Sequence, residues 1–186
     1  MLSKAAPRKL IHSRRIVCHG YRRDDGLWDI EGSLEDTKTY SFANQDRDGI
    51  AAGEPIHLMR LRLTLDEDLR VHAVEAWTEA GPFTPCGDIV PSYADLAGLT
   101  VGPGWRRRVL ERLGGVNGCT HLTELLLGPV TTTAMQSIMA ARARREGSGG
   151  RRPAVIDTCH ALAADGDIVA RQWPQFHRPQ FHRPKS

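Results

Sequence analysis

Two stretches of the chain alternate apolar and polar residues with period two, the mark of a strand with one buried and one wet face. In the first, Trp28, Ile30 and Leu34 point one way and Asp29, Glu31 and Ser33 the other. In the second, His57, Met59, Leu61, Leu63 and Leu65 oppose Arg60, Arg62 and Thr64. Each stretch is one arm of a predicted hairpin. Residues 15–23 and 27–34 flank the turn residues Asp24-Asp25-Gly26, and residues 55–65 and 69–78 flank Asp66-Glu67-Asp68. Residues 39–42 suit a short further strand. Residues 155–162 and 168–173 read as a last hairpin around Asp165-Gly166.

The middle of the chain has helical patterning. Residues 93–99 suit a short helix, and 103–113 suit another, stopped by Gly114-Gly115. Residues 119–145 have helical composition but contain Gly128-Pro129, which predicts a kink and two consecutive helices. The sum is an α+β fold: an antiparallel sheet of about five strands built from hairpins, with helices packed on one side. Residues 1–14 read as a mobile arm and 15–173 as a single domain. Within it, 146–153 form a flexible linker. Residues 174–186 read as a disordered tail that carries Gln-Phe-His-Arg-Pro twice.

Composition narrows the class. A chain of 186 residues with 40% hydrophobic and 25% charged residues is an ordinary globular protein, not a disordered or fibrous one. A net charge of +3 is too small to imply nucleic acid. Aromatic and basic residues are not interleaved on strands as an RNA reader needs. No apolar run approaches the roughly 18 residues of a membrane span, and the basic N-terminus lacks the apolar stretch of a signal peptide. These features lead us to expect a cytoplasmic protein with a small-molecule partner and neither nucleic acid nor membrane. The segment Asn44-x-Asp46-x-Asp48-Gly49 imitates a calcium loop. Pro55 stands where the bidentate Glu is required, so an Asx-rich turn is the better reading.

The four cysteines, Cys18, Cys86, Cys119 and Cys159, form no CxxC pair. In a reducing compartment they are buried, catalytic or metal-bound. The sharpest cluster is Gly118-Cys119-Thr120-His121-Leu122-Thr123-Glu124, a glycine-rich approach to a helix start. A helix N-terminus favours a thiolate, and His121 and Glu124, three apart, share a helix face. Cys119, His121 and Glu124 therefore suit a thiol-centred acid–base site, with His57 facing them from the sheet as a general base. Cys119, His121, Cys86 and Cys159 are equally a candidate ligand set for Zn, with non-haem Fe next by ligand type. Arg106 and Arg107 could receive an anionic or CoA-linked substrate, and Trp28 and Glu31 on the second strand could contact it. Cys18 reads as core. The duller readings stand beside these: buried thiols, a core His57 and a solvated arginine face.

Three blocks together resemble an uncharacterised bacterial domain-of-unknown-function family: RRIVCHGYRRDDGLWDIE from Arg14 to Glu31, GCTHL-x-E from Gly118 to Glu124, and D-x-CH from Asp157 to His160. The resemblance spans roughly residues 10–173. It implies a stand-alone protein, with an association with aromatic or acyl-CoA catabolism. In the order of its elements the chain is also similar to iron–sulfur scaffold and sulfur-acceptor proteins of the IscU/SufE type. Cys86 and Cys119 would match two of their cysteine positions. Three functions follow: a small-molecule hydrolase or lyase centred on a thiol or on Zn or Fe, a non-catalytic sulfur or metal carrier, or a ligand-binding module.

Overall fold

The structure, a computed structural model, describes residues 1–146, 152–153 and 155–178. Four strands form one antiparallel meander: β1 (His12–Arg22), β2 (Trp28–Lys38), β3 (Pro55–Leu65) and β4 (Val71–Ala80), in the order β1-β2-β3-β4. The fold is therefore α+β with an open sheet of four strands. Residues 39–42 contribute only a bridge from Phe42 to Ile50. β1 begins at His12, so the last residues of the expected arm belong to the sheet.

Local chemistry explains both hairpins. Asp25 accepts the Leu27 N–H, and Gly26 takes a φ of 88° to close the first turn. Asp66 accepts the N–H groups of Asp68 and Arg70 and closes the second. The loop before β3 is the expected Asx turn, with Asn44 accepting the Arg47 N–H at 3.0 Å.

One sheet face is apolar. Ile30, Leu34, Met59, Leu61, Leu63 and Val74 are buried there beneath helices α1 (Trp105–Leu113), α2 (Thr120–Leu125) and α3 (Thr131–Glu146). The other face carries ion pairs across the strands, Arg62 with Glu31 and Glu75, and Arg60 with Glu79. All are exposed and contribute little to stability.

The segment over the sheet does not break at Gly128-Pro129. Between α2 and α3 the chain makes a π-helical turn, Leu126–Val130, with Pro129 inside it. Proline cannot donate, and its ring crowds the carbonyl four residues earlier. The wider turn absorbs both problems. Thr131 Oγ1 donates to the Leu126 carbonyl at 2.7 Å and accepts from Trp105 Nε1 at 3.0 Å.

Two glycines on the core face let this helical segment approach the strands. A Cβ at Gly32 would lie 2.5 Å from Val130 Cγ2, and one at Gly20 would lie 2.4 Å from Ser137 Oγ.

The chain divides into two compact units, Met1–Arg144 and Arg145–Ser186. In the second unit the expected hairpin is replaced by a 3₁₀ turn, His160–Leu162, and helix α4 (Asp167–Gln172). Val169, Trp173 and Phe176 recur at helical spacing and pack with Ile156 and Ala164. A lone two-stranded hairpin could not bury that set. Phe176 thus belongs to this small core and not to a tail. Residues 179–186 and most of the expected linker lie outside the described residues.

Gly32→Ala is expected to cost roughly 1–3 kcal/mol in denaturant unfolding, because β-branched Val130 cannot swing clear. Gly87→Ala, where nothing lies within 4 Å of the added carbon, is expected to stay within about 0.5 kcal/mol.

Candidate functional site

The apolar alternation of β2 ends on a charge. Trp28, Ile30, Gly32 and Leu34 are followed on the same face by Asp36, which is fully buried. A buried carboxylate must be paired or neutralised. Asp36 is paired from both sides. Arg14, directly opposite on β1, donates Nε to Oδ1 at 2.7 Å and Nη2 to Oδ2 at 2.6 Å. His57, opposite on β3, contacts Oδ2 through Nδ1 at 3.0 Å. His12 Nε2 lies 3.3 Å from Oδ1. The ionised carboxylate only accepts, so His57 presents Nδ1–H to it and keeps Nε2 as a free acceptor.

Both irregularities nearest this end of the sheet flank the cluster, one at Asp36/Thr37 and one at Leu58/Met59. Bulges of this kind re-aim side chains beside functional sites.

The third member comes from the helices. His121, in the first turn of α2, stacks on His57 with ring centroids 3.8 Å apart and Nε2 4.0 Å from Asp36 Oδ2. Buried Tyr93 holds that turn in place. Its hydroxyl donates to the Cys119 carbonyl at 3.0 Å, accepts from the Cys119 N–H at 3.2 Å and pairs with Thr123 Oγ1 at 2.8 Å. Cys119 is the N-cap residue and its side chain makes no cap hydrogen bond, so the start of α2 is held through the Cys119 backbone and the Thr123 hydroxyl by Tyr93.

The electrostatics favour a carboxylate beside two neutral imidazoles. Burial alone pushes the Asp36 carboxyl up, but the Arg14 hydrogen bonds and charge, joined by those of His57, hold it below the ordinary value. Burial lowers His57, helped by the charges of Arg14 and His12 and opposed by Asp36. Burial likewise lowers His121, helped by His57 and Arg14. One donor atom each from Asp36, His57 and His121 lie within 4.8 Å of one another. Two neutral imidazoles and a carboxylate can act as acid–base groups or as ligands to a divalent metal.

The sequence-level candidates divide around this centre. His57 and His121 meet. Cys119 sits beside them with Sγ 4.0 Å from Met59 Sδ. Glu124 does not orient His121. It is exposed and faces Arg106 at 3.8 Å, while His121 turns toward the sheet. Arg107 lies 3.7 Å from Glu111 along α1, with both side chains exposed. Trp28 is buried in the core, and Glu31 lies on the opposite sheet face against Arg62. Cys86 lies in the 3₁₀ turn Thr84–Gly87, against Gly81. Cys159 is exposed in the second unit. Asp36, Arg14 and His12 escape a reading that stops the second strand at Leu34 and begins the first at Arg15. Continuing the period-two count one step past Leu34 lands on Asp36.

Two outcomes test the electrostatics. Arg14→Ala leaves a buried charge with only imidazole partners. Because Arg14 is 43% exposed, the loss should be roughly 2–3 kcal/mol, below that of a wholly buried pair. Second, Asp36, His57 and His121 all have folded pKa values below their unfolded ones, so the unfolded chain binds more protons in acid. Their stabilisation is complete above about pH 6.5 and declines as pH falls through the imidazole and then the carboxylate range. Melting temperature against pH should show this decline, with a shallower slope in His57→Gln.

A family profile described as "Protein of unknown function (DUF2889)" matches residues 12–136. That range contains the whole sheet and every residue of the Asp36 cluster, and it excludes the D-x-CH block at 157–160. No curated protein and no solved structure matches the sequence. Among the described residues, no helix is long and apolar enough to cross a membrane. The match runs unbroken from the first strand into α3, and on that extent the chain belongs to the DUF2889 family of proteins of unknown function.

Proposed function

We propose that this protein is a small-molecule enzyme of the hydrolase or lyase type, with its reaction centre at Asp36, His57 and His121 and a divalent zinc or iron ion as cofactor. The convergence of a buried carboxylate and two neutral imidazoles, with donor atoms within 4.8 Å, carries this reading. The donor set is of the type that zinc and non-haem iron prefer. Bound there, the metal would act as a Lewis acid or lower the pKa of a bound water. Asp36 and the two histidines would supply the ligands. Arg14 orients the carboxylate, and Tyr93 fixes the helix start that presents His121. His12, 43% exposed at the edge of the cluster, is placed to exchange protons with solvent.

One observation favours a second, metal-free reading of the same site. Arg14 and His57 already occupy Asp36, as in a dyad where the carboxylate orients an imidazole and leaves its other nitrogen as general base. A sulfur or cluster carrier is less well supported, since the one group of three metal-capable side chains among the described residues contains no cysteine.

Elemental analysis and zinc titration of the chelated protein separate these readings. The metal reading expects about one equivalent per chain, lost in His57→Gln and in the more exposed His121→Gln while both remain folded by circular dichroism. A wild-type protein that takes up neither zinc nor iron would rule the metal out and leave the Asp36–His57 dyad.

A further inference from the structure

Arg14 carries more donors than Asp36 uses. A guanidinium has five N–H donors in one plane. The side-on pair with Asp36 takes one at Nε and one at Nη2. The end-on fork, formed by Nη1 and the outer hydrogen of Nη2, makes no hydrogen bond or ion pair with any described residue. The side chain is 43% exposed, so solutes can reach it.

The surroundings favour an anion. His12 is equally exposed and uses only Nε2 on Asp36, leaving Nδ1 unused. His121 is 28% exposed, lies 4.0 Å from Asp36 Oδ2 and makes no side-chain hydrogen bond to any described residue. Glu35, the next acid along β2, pairs with Arg15 on the other face. The side-on fork of Arg14 balances Asp36, so an anion that reaches the end-on fork would find unused donors. One guanidinium can bridge two single negative charges, one on each fork. A dianionic phosphate would set a larger negative charge beside the Asp36 carboxylate than a carboxylate ligand does.

We propose that the site takes a small molecule bearing a carboxylate, seated on the end-on fork of Arg14 with His12 beside it, next to the Asp36–His57–His121 centre. This rests on the reading of those three residues as the reaction centre, whereas the seat itself belongs to Arg14 and His12 and needs no metal.

The test uses the full-length, chelated protein, titrated separately with benzoate, its neutral isostere benzamide and inorganic phosphate, and followed by imidazole NMR shifts. Saturable binding of benzoate that perturbs His12 is expected, with benzamide and phosphate each at least about tenfold weaker. Arg14→Lys keeps a cation for Asp36 but has no second fork, and should weaken benzoate about tenfold. Arg15→Lys, on the opposite face of the same strand, should leave it unchanged. Should Arg14→Lys fail to fold, the benzoate-to-benzamide ratio and the loss of affinity in His12→Gln decide the matter. Equal binding of benzoate and benzamide, tighter binding of phosphate, or wild-type affinity in a folded Arg14→Lys would overturn the proposal. Zinc uptake is read in a separate titration. Its failure leaves the anion seat standing, and failure of benzoate binding in a protein that takes up zinc removes only the carboxylate class.

Discussion

A carboxylate placed where an apolar side chain would normally continue the core governs one end of this molecule. Asp36 stands on the buried face of β2, one alternation past Leu34. An unpaired charge at such depth would oppose folding, so the neighbouring strands must supply partners. Arg14 and His57 do so from the two flanking strands, at the positions directly opposite in the register. A one-residue slip of either strand would send its partner to the wrong face. The pair therefore specifies register as well as charge balance. Replacing a buried ion pair by apolar residues is often neutral or stabilising, so net stability alone does not explain why Asp36, Arg14 and two histidines stand together here.

The helical layer is fitted closely to the sheet along β1 and β2. Gly20 and Gly32 remove the side chains that would hold α3 and the π turn away from β1 and β2. The π turn lets the chain pass through Pro129 without leaving the sheet surface. Tyr93, in the 3₁₀ segment Val90–Leu96, reaches across to hold the first turn of α2. Backbone permissiveness, a widened helical turn and one buried hydroxyl thus combine to bring His121 onto His57. Each acts on the placement of the His57 and His121 side chains and not on their chemistry.

The family match and the first compact unit both contain the whole Asp36 cluster. Residues 12–136 hold Arg14, Asp36, His57, Tyr93 and His121, and the first unit closes at Arg144. The second unit has its own small core around Val169. The Cys159-His160 pair that stands out in the sequence belongs there, apart from the matched region.

Much of the fold was legible from period two alone. The two hairpins, their turns and the apolar faces of β2 and β3 all follow from local alternation and Asp/Gly turn chemistry, which need no long-range information. His57 on the buried face and His121 at a helix start were legible for the same reason. Residues 155–173 suit strands by local pattern alone, but Val169, Trp173 and Phe176 are short apolar signals whose period is settled only by what they pack against. Glu124 was assigned to His121 by helix spacing, but spacing gives a shared face and not a shared partner. The sequence by itself determined the α+β class and the two hairpins of the sheet. Only the tertiary structure decided that Asp36, Arg14, His57 and His121 converge. Such convergence depends on register between strands and on the seat of a helix on a sheet, and both are set by contacts between residues far apart in the sequence, as Asp36 is from His57 and His121.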